Sequence, residues 1–236
     1  AFLVALPALA ICPILLTLDL GRPLRFWHML VDPRTMTLNF KYWSPMSVGV
    51  WSLLIFSAFA FLSFLEAVLG EERFLLFRGA FGRLLLVLGT ISGLFLAGYT
   101  GVLLSVSNQP IWSDTWTLGG LFLASGLSVA AAALGLLTRL SAGEESTEAK
   151  LSRADLCFVV LELALLIAFF VSLGAMGTRL LEPRWLLLWA LVLAGTLVPL
   201  VLRRLAPSAG PAVLASCLVL LGGLALRIVV IFGAQT

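Results

Sequence analysis

Long apolar runs separated by short polar segments make up almost the whole chain. A helix needs roughly 20 mostly apolar residues to cross a bilayer. The pattern predicts membrane-spanning helices at residues 1–18, 45–69, 77–106, 117–140, 154–181, 185–202 and 211–232. The predicted fold is therefore all-α, a single polytopic transmembrane helix bundle of seven spans over residues 1–236. Because the first run is apolar from Ala1 onward, we expect the chain to be incomplete at its N-terminus.

The composition agrees with a membrane protein. Of the 236 residues, 61% are hydrophobic and only 11% are charged, whereas soluble domains average about 25% charged residues. The net charge is only +3, and basic residues in such a chain are typical anchors at the membrane surface. We therefore expect contact with membrane lipid and no nucleic-acid partner.

Cysteine and histidine are too sparse for the common redox centres. The three cysteines, Cys12, Cys157 and Cys217, lie far apart in apolar runs, and none is part of a Cys-x-x-Cys pair. Iron–sulfur clusters and structural zinc need grouped cysteines, and a membrane cytochrome b needs paired axial ligands. The single histidine, His28, cannot supply such a pair. We therefore predict no haem and no metal in this protein.

The longest polar connection follows the first span, at residues 19–44. It begins with Asp19 and holds Arg22, Arg25 and His28, together with several aromatic residues. Charges at this position also suit an ordinary helix-end anchor. We call the membrane surface that carries this connection face one and the opposite surface face two.

Ionisable side chains within a membrane span are costly and are therefore candidates for function, and four of them stand out in the predicted spans. Tyr99 and Arg227 lie some five or six residues from face one, or about 8–9 Å deep at the helical rise of 1.5 Å per residue. Glu162 and Arg83 lie nearer face two. Tyrosine at such a depth is also typical of an interfacial belt, and arginine near a helix end can reach water. Glu162 is too short to do so, which predicts a paired or hydrated position.

The third span carries a ridge of small residues that recurs every four positions: Gly89, Gly93, Ala97, Gly101 and Ser105. Such a ridge lets a neighbouring helix approach closely, so we assign it to packing. Tyr99 falls on the opposite side of a helical wheel from the middle of the ridge, which predicts that it faces a different neighbour or lipid.

Several short stretches resemble signature segments of one family. Residues 19–23 read Asp-Leu-Gly-Arg-Pro, residues 25–27 read Arg-Phe-Trp, and residues 98–105 read Gly-Tyr-Thr-Gly-Val-Leu-Leu-Ser. Residues 44–47 (Ser-Pro-Met-Ser) and 222–230 (Gly-Gly-Leu-Ala-Leu-Arg-Ile-Val-Val) resemble the helix start after the family's long loop and its closing helix. On these segments the protein resembles the polysulfide reductase membrane-subunit, or NrfD-like, family.

The resemblance implies a quinone-reactive subunit of a multi-subunit respiratory oxidoreductase in a prokaryotic inner membrane. It also implies eight or more helices in the complete protein. The ligand would be menaquinone or ubiquinone, with its head group hydrogen bonded to Tyr99. Electrons would pass between the quinone and a ferredoxin-like iron–sulfur subunit on face one, which is usually coupled to a molybdopterin-type catalytic subunit.

These expectations assign a role to each candidate residue. Tyr99 and Asp19 would take part in the chemistry, with His28, Arg22 and Arg227 helping to bind the quinone. Glu162 and Arg83 would belong to a proton path. At its depth the Tyr99 hydroxyl is expected to lack a water partner, so that a quinone carbonyl would satisfy it.

Two other functions are compatible with the same residues. Buried charges such as Glu162, Arg83 and Arg227 also occur in proton channels and transporters, although no inverted repeat is visible in the sequence. A passive membrane anchor for a redox complex is the third possibility, and it predicts no binding site beside Tyr99.

Overall fold

The computed structural model describes residues 2–69, 79–140, 145–205 and 209–235. These residues form α-helices joined by two 3₁₀ helices, at Pro23–Met29 and Gly174–Leu181. The α-helices are α1 (Phe2–Asp19), α2 (Pro45–Leu69), α3 (Gly79–Ser105), α4 (Leu118–Leu140), α5 (Glu145–Leu173), α6 (Pro183–Leu205) and α7 (Ala209–Gly233). The predicted all-helical membrane fold is therefore confirmed.

Six of the helices are long and apolar enough to cross a membrane, and they correspond to the second to seventh predicted spans. The first predicted span coincides with α1, a helix of 18 residues. Its stretch Leu9–Asp19 is apolar but shorter than a full crossing. Of the seven predicted spans, six are therefore helices that are long and apolar enough to cross a membrane. The predicted start of the third span, at residues 77–78, lies outside the described residues.

The fifth span differs most from its prediction. Residues 145–153, which the sequence placed outside the helix because they are charged, form the first turns of α5. Glu, Lys, Ala and Leu are strong helix formers, so this segment continues the helix in spite of its polarity. At the other end the α-helix stops at Leu173, where Gly174 adopts a φ of +53° that suits glycine. The remainder of the predicted span is the 3₁₀ helix Gly174–Leu181.

The structure divides into two compact units, Ala1–Tyr99 and Thr100–Thr236. In the first unit, the glycine ridge of α3 packs against α2. A Cβ atom on Gly93 would lie 2.8 Å from the ring of Phe56, and one on Gly89 would lie 3.3 Å from Phe59. The assignment of this ridge to packing is therefore confirmed.

The connection between α1 and α2 is folded. It contains the 3₁₀ helix Pro23–Met29 and an isolated antiparallel bridge between Val31 and Leu38. The Asn39 side-chain amide donates to the carbonyl of His28 at 3.1 Å. The backbone carbonyl of Asn39 in turn accepts a hydrogen bond from the indole N–H of Trp51 at 3.4 Å. These bonds tie the connection to the start of α2.

The second unit is a bundle of α4, α5, α6 and α7 around a common apolar core. The core centres on Phe122, Phe169 and Leu226, each at most 3% exposed. Helices α6 and α7 approach to backbone contact, because a Cβ atom on Gly195 would lie 2.8 Å from the Cα atom of Gly222. Polar side chains within this bundle are therefore held in a packed, mostly apolar setting.

Candidate functional site

Tyr99 lies on α3 against the first turn of α2. Its hydroxyl donates a hydrogen bond to the backbone carbonyl of Pro45. The ring fills the space beside Gly49, where a Cβ atom would overlap it. Phe95 stacks on the ring with centroids 6.1 Å apart. The phenol is thus held in place by residues of its own unit.

Two expectations about Tyr99 are wrong. Its hydroxyl has a partner within the protein, the Pro45 carbonyl, so it does not depend on a ligand to satisfy its donor. Tyr99 also contacts α2, the helix that packs on Gly89 and Gly93, because its long side chain reaches around α3 to the start of α2. The phenol oxygen still has acceptor capacity, since a hydroxyl accepts as well as donates.

The other face-one candidates lie on the connection that follows α1. Asp19 is the last residue of α1 and lies at one end of an open groove of about 460 Å³ along this helix, lined also by Ile11, Cys12, Leu15 and Leu16. Arg22 and Arg25 are exposed. His28 is half-buried, with its ring edge-on to that of Trp27 at 4.1 Å. Within the described first unit, no hydrogen bond joins any of these polar side chains to Tyr99.

Glu162 is buried inside the second unit, with only 4% of its surface exposed. The Ser125 hydroxyl on α4 hydrogen bonds to its carboxyl group, and Arg227 on α7 lies within electrostatic range. Arg227 itself donates to the Ser125 oxygen at 3.3 Å. Ser125 thus accepts from the guanidinium and donates to the carboxylate, so that one hydroxyl bridges the two charged groups.

Arg227 and Arg83 belong to different units. Arg227, which the sequence analysis predicted to help bind the quinone, contacts Ser125, the Gly223 carbonyl at 2.8 Å and the ring of Phe122 at 5.5 Å. Arg83, which was expected to share a path with Glu162, belongs to the first unit and has an exposed side chain. The cation described beside Glu162 is Arg227.

Asp155 is a buried carboxylate that the sequence analysis missed. It is 1% exposed, and it accepts a hydrogen bond from Ser128 of α4 at 2.8 Å. Asp155 lies seven residues before Glu162, and Glu148 lies seven residues before Asp155. Seven residues are close to two helical turns, so the three acidic groups share one face of α5. This spacing is the signal in the sequence that could have identified Asp155.

The Glu148 end of this acidic face carries an ion pair and a small cavity. Arg139, near the end of α4, donates through its guanidinium to the Glu148 carboxylate. A cavity of about 20 Å³ lies between this pair and Asp155. Its polar lining also includes Ser152 and Ser216. In the described part of the second unit, polar side chains therefore extend from the Arg139–Glu148 end of the bundle to Glu162 in its middle.

Within the described residues, no group of three or more histidine, cysteine or acidic side chains is arranged to hold a metal ion. The cysteines are free thiols; Cys12 and Cys157 are exposed and Cys217 is half-buried.

Comparison with known proteins agrees with the family resemblance seen in the sequence. The family described as "Polysulphide reductase, NrfD" matches residues 1–236. The sequence is also similar to that of the C subunit of polysulfide reductase from Wolinella succinogenes. The two are 29% identical over 254 residues, which cover 94% of the present sequence and 77% of the relative.

Proposed function

Because the protein belongs to the NrfD polysulphide reductase family, we propose that it is the quinone-reactive membrane subunit of a multi-subunit respiratory oxidoreductase. Membership confirms the resemblance found in the sequence, and it identifies an integral membrane protein from a family of reductase-complex subunits. The quinone, the electron-donor partner and the residues that serve them are the proposed parts.

The single observation that best supports this function is the fixed phenol of Tyr99. Its ring is held by Gly49 and Phe95, and its hydroxyl by the Pro45 carbonyl. A held phenol loses little conformational freedom on binding a ligand, so it suits a quinone oxygen better than a mobile side chain does. It would accept from the hydroxyl of a quinol, or turn its proton from Pro45 toward the carbonyl of a quinone.

The interface between α2 and α3 offers apolar surface for an isoprenoid tail. A cavity of about 170 Å³ lies between the two helices, lined by Phe56, Phe59, Ala60, Ser63, Leu85, Leu86, Gly89 and Thr90. Gly89 is ten residues from Tyr99, or about 15 Å along α3. A head group at Tyr99 and a tail along this cavity would therefore follow one helix interface.

A quinone exchanges two electrons and two protons between its oxidised and reduced forms. Asp19, at the end of α1, would exchange protons with water at face one. Arg22 adds a positive charge three residues further along the chain, and His28 supplies an imidazole that can carry a proton on the same connection. Electrons would come from or go to a partner protein.

The connection between α1 and α2 is the surface we assign to that partner. Its exposed side chains include Leu24, Tyr42 and Trp43, each more than 60% exposed, among the cations Arg25 and Lys41. Aromatic and arginine side chains are enriched at protein interfaces. A ferredoxin-like iron–sulfur subunit would dock here, with a molybdopterin-type catalytic subunit beyond it. The relative's name, which marks it as one component of a reductase, supports an assembly of this kind.

The substitution Tyr99→Phe tests the proposal, because it removes the hydroxyl and keeps the ring. We expect quinol-dependent turnover of the membrane complex to fall by about tenfold, the equivalent of one hydrogen bond of 1–3 kcal/mol. Thr178→Ala is the control, because it also removes a hydroxyl that donates to a backbone carbonyl, that of Ala175, but at an exposed position outside the proposed quinone and docking sites. Unchanged turnover in Tyr99→Phe, with the complex intact, would assign Tyr99 to packing and remove the main support for the quinone site.

A further inference from the structure

We propose that the first turns of α5 bind an anionic phospholipid. Lys150 and Arg153 would hold its head group, and one acyl chain would lie along the outer surface of the same helix. The inference is independent of the quinone site, because every residue in it belongs to α5 of the second unit. Alternation of the helices along the sequence assigns this end of α5 to face two.

The charged side chains described on α5 are sorted by sign between opposite sides of the helix. Glu148, Asp155 and Glu162 form the acidic face, and the last two of these are buried inside the bundle. Lys150 and Arg153 are exposed. At about 100° per residue, the midpoint of the two cations lies roughly 170° around the helix from the centre of the acidic face. The outward side of the helix is therefore basic.

The two outward cations have no carboxylate partner within the described residues. The ion pairs found there are formed by Arg139 and Arg184. Lys150 and Arg153 lie three residues apart, so their Cβ atoms are neighbours on the helix surface, about 5–6 Å from each other. Together they offer two positive charges and several N–H donors at one place. Such a pair suits the phosphate of a lipid head group.

The cations lie at the depth that a head group requires. Residues 154–173 complete α5, and at 1.5 Å per residue they span about 30 Å, which is the thickness of the hydrocarbon core of a bilayer. Arg153 immediately precedes this segment, and Lys150 lies about 4.5 Å further out. Both side chains are therefore placed at the level of the lipid phosphates rather than in the acyl region or in bulk water.

An exposed apolar stripe continues inward from the cations on the same side of α5. Cys157 lies one turn inward from Arg153 and is exposed. The stripe then continues with Val160, Leu161 and Ala164, all of them exposed on a helix that is long and apolar enough to cross a membrane. From Arg153 to Ala164 the helix rises about 16 Å, close to the depth of one leaflet. A lipid whose phosphate contacts the two cations would therefore lay one acyl chain along this stripe.

Any lipid can cover an apolar stripe, so the cations decide which head group is preferred. A lysine or arginine near the membrane surface favours an anionic lipid by about fivefold. A zwitterionic head group gains less, because it carries its own positive charge beside the phosphate. With two cations at one place, we expect an anionic phospholipid to be preferred over a zwitterionic one on the order of tenfold.

Fluorescence quenching by spin-labelled lipids tests the site in the purified protein reconstituted into vesicles. A small fluorophore is attached to Cys157, with Cys12 and Cys217 replaced by serine, so that the reporter lies on the stripe next to the cations. Phosphatidylglycerol and phosphatidylcholine with the same labelled chain are compared. We expect the anionic lipid to quench at a mole fraction about tenfold lower than the zwitterionic lipid. In the double variant Lys150→Gln and Arg153→Gln the two lipids should quench equally.

Two further variants separate this site from a general effect of charge. Lys150→Arg combined with Arg153→Lys keeps both charges and should keep the preference. Arg179→Gln removes an exposed arginine from the 3₁₀ helix Gly174–Leu181, at the other end of α5, and should also keep it. Equal quenching by the two lipids in the wild type, or a preference that survives the loss of both cations or disappears in Arg179→Gln, would overturn the proposal. Quinol turnover enters none of these measurements, so the lipid site and the quinone site can fail separately.

Discussion

At the scale of single residues, the second unit shows how one hydroxyl, that of Ser125, can bridge the buried Glu162 and the half-buried Arg227. Glu162 was predicted to avoid lipid, and its burial agrees with the cost of an ionisable group in a membrane. Its partners could not be predicted, because serine in a helix carries no strong signal and Arg227 fitted a quinone site equally well. Only the packing of α4 against both α5 and α7 brings Ser125 to Glu162 and Arg227.

Substitution of Ser125 by alanine should reveal this bridge. The change leaves Glu162 and Arg227 without a shared hydrogen-bond partner in a buried setting, which costs about 1–3 kcal/mol. We expect a lower melting temperature for the detergent-solubilised protein. Thr138→Ala on the same helix is the control, since the Thr138 hydroxyl donates to the carbonyl of Leu134 of its own helix. Equal melting temperatures for the two variants would mean that the bridge contributes nothing to stability.

At the scale of helices, hydropathy predicted the elements well and their ends less well. A membrane-spanning helix must be apolar over the whole thickness of the bilayer core, so hydropathy alone predicts where such helices occur. The water-exposed part of a helix has no such requirement. The first turns of α5, at residues 145–153, therefore looked like a loop although they are helical. The register between α4 and α5 was equally hidden, because hydropathy does not record which helices are neighbours.

Close approach of helices depends on glycine at particular positions. A Cβ atom on Gly195 would lie 2.6 Å from the carbonyl oxygen of Leu218 and 2.8 Å from the Cα atom of Gly222, both of them backbone atoms of α7. Because a backbone cannot turn aside as a side chain can, Gly195→Ala should force α6 and α7 apart and cost about 1–3 kcal/mol.

Gly135→Ala is the matched control for this prediction, because a Cβ atom on Gly135 of α4 would meet nothing within 4 Å. Alanine there should be neutral or stabilising by up to about 1 kcal/mol. Thermal unfolding followed by tryptophan fluorescence should therefore separate the two variants. If both melt at the wild-type temperature, the two helices have more freedom to separate than their contact indicates.

At the scale of the molecule, the sequence predicted the fold class, the family and the membrane location, but only part of the candidate site. The family resemblance rested on short motifs such as residues 19–23, and the family match covers residues 1–236. The contacts of Tyr99 and Arg227 depend on tertiary packing, so the protein partners of these two side chains could not be predicted from the sequence. The role of the connection at residues 19–44 depends on a partner and is tested only by an experiment on the whole complex.

Charge reversal on this connection should weaken the complex. Arg25 and Lys41 lie on the surface that we assign to the iron–sulfur subunit, and both side chains are exposed. Charges at an interface steer association and select partners, so Arg25→Glu combined with Lys41→Glu should lower the affinity on the order of tenfold. The loss should shrink at high salt, because exposed charges are screened. Co-purification of the iron–sulfur subunit at low and high salt measures both effects.

Lys150→Glu provides the control, because this exposed lysine lies near the start of α5, on the side that the helix alternation assigns to face two. It should leave the iron–sulfur subunit bound. Loss of the subunit in Lys150→Glu but not in the double variant would place the docking surface on face two. The roles assigned to Asp19 and Tyr99 would then have to be given up.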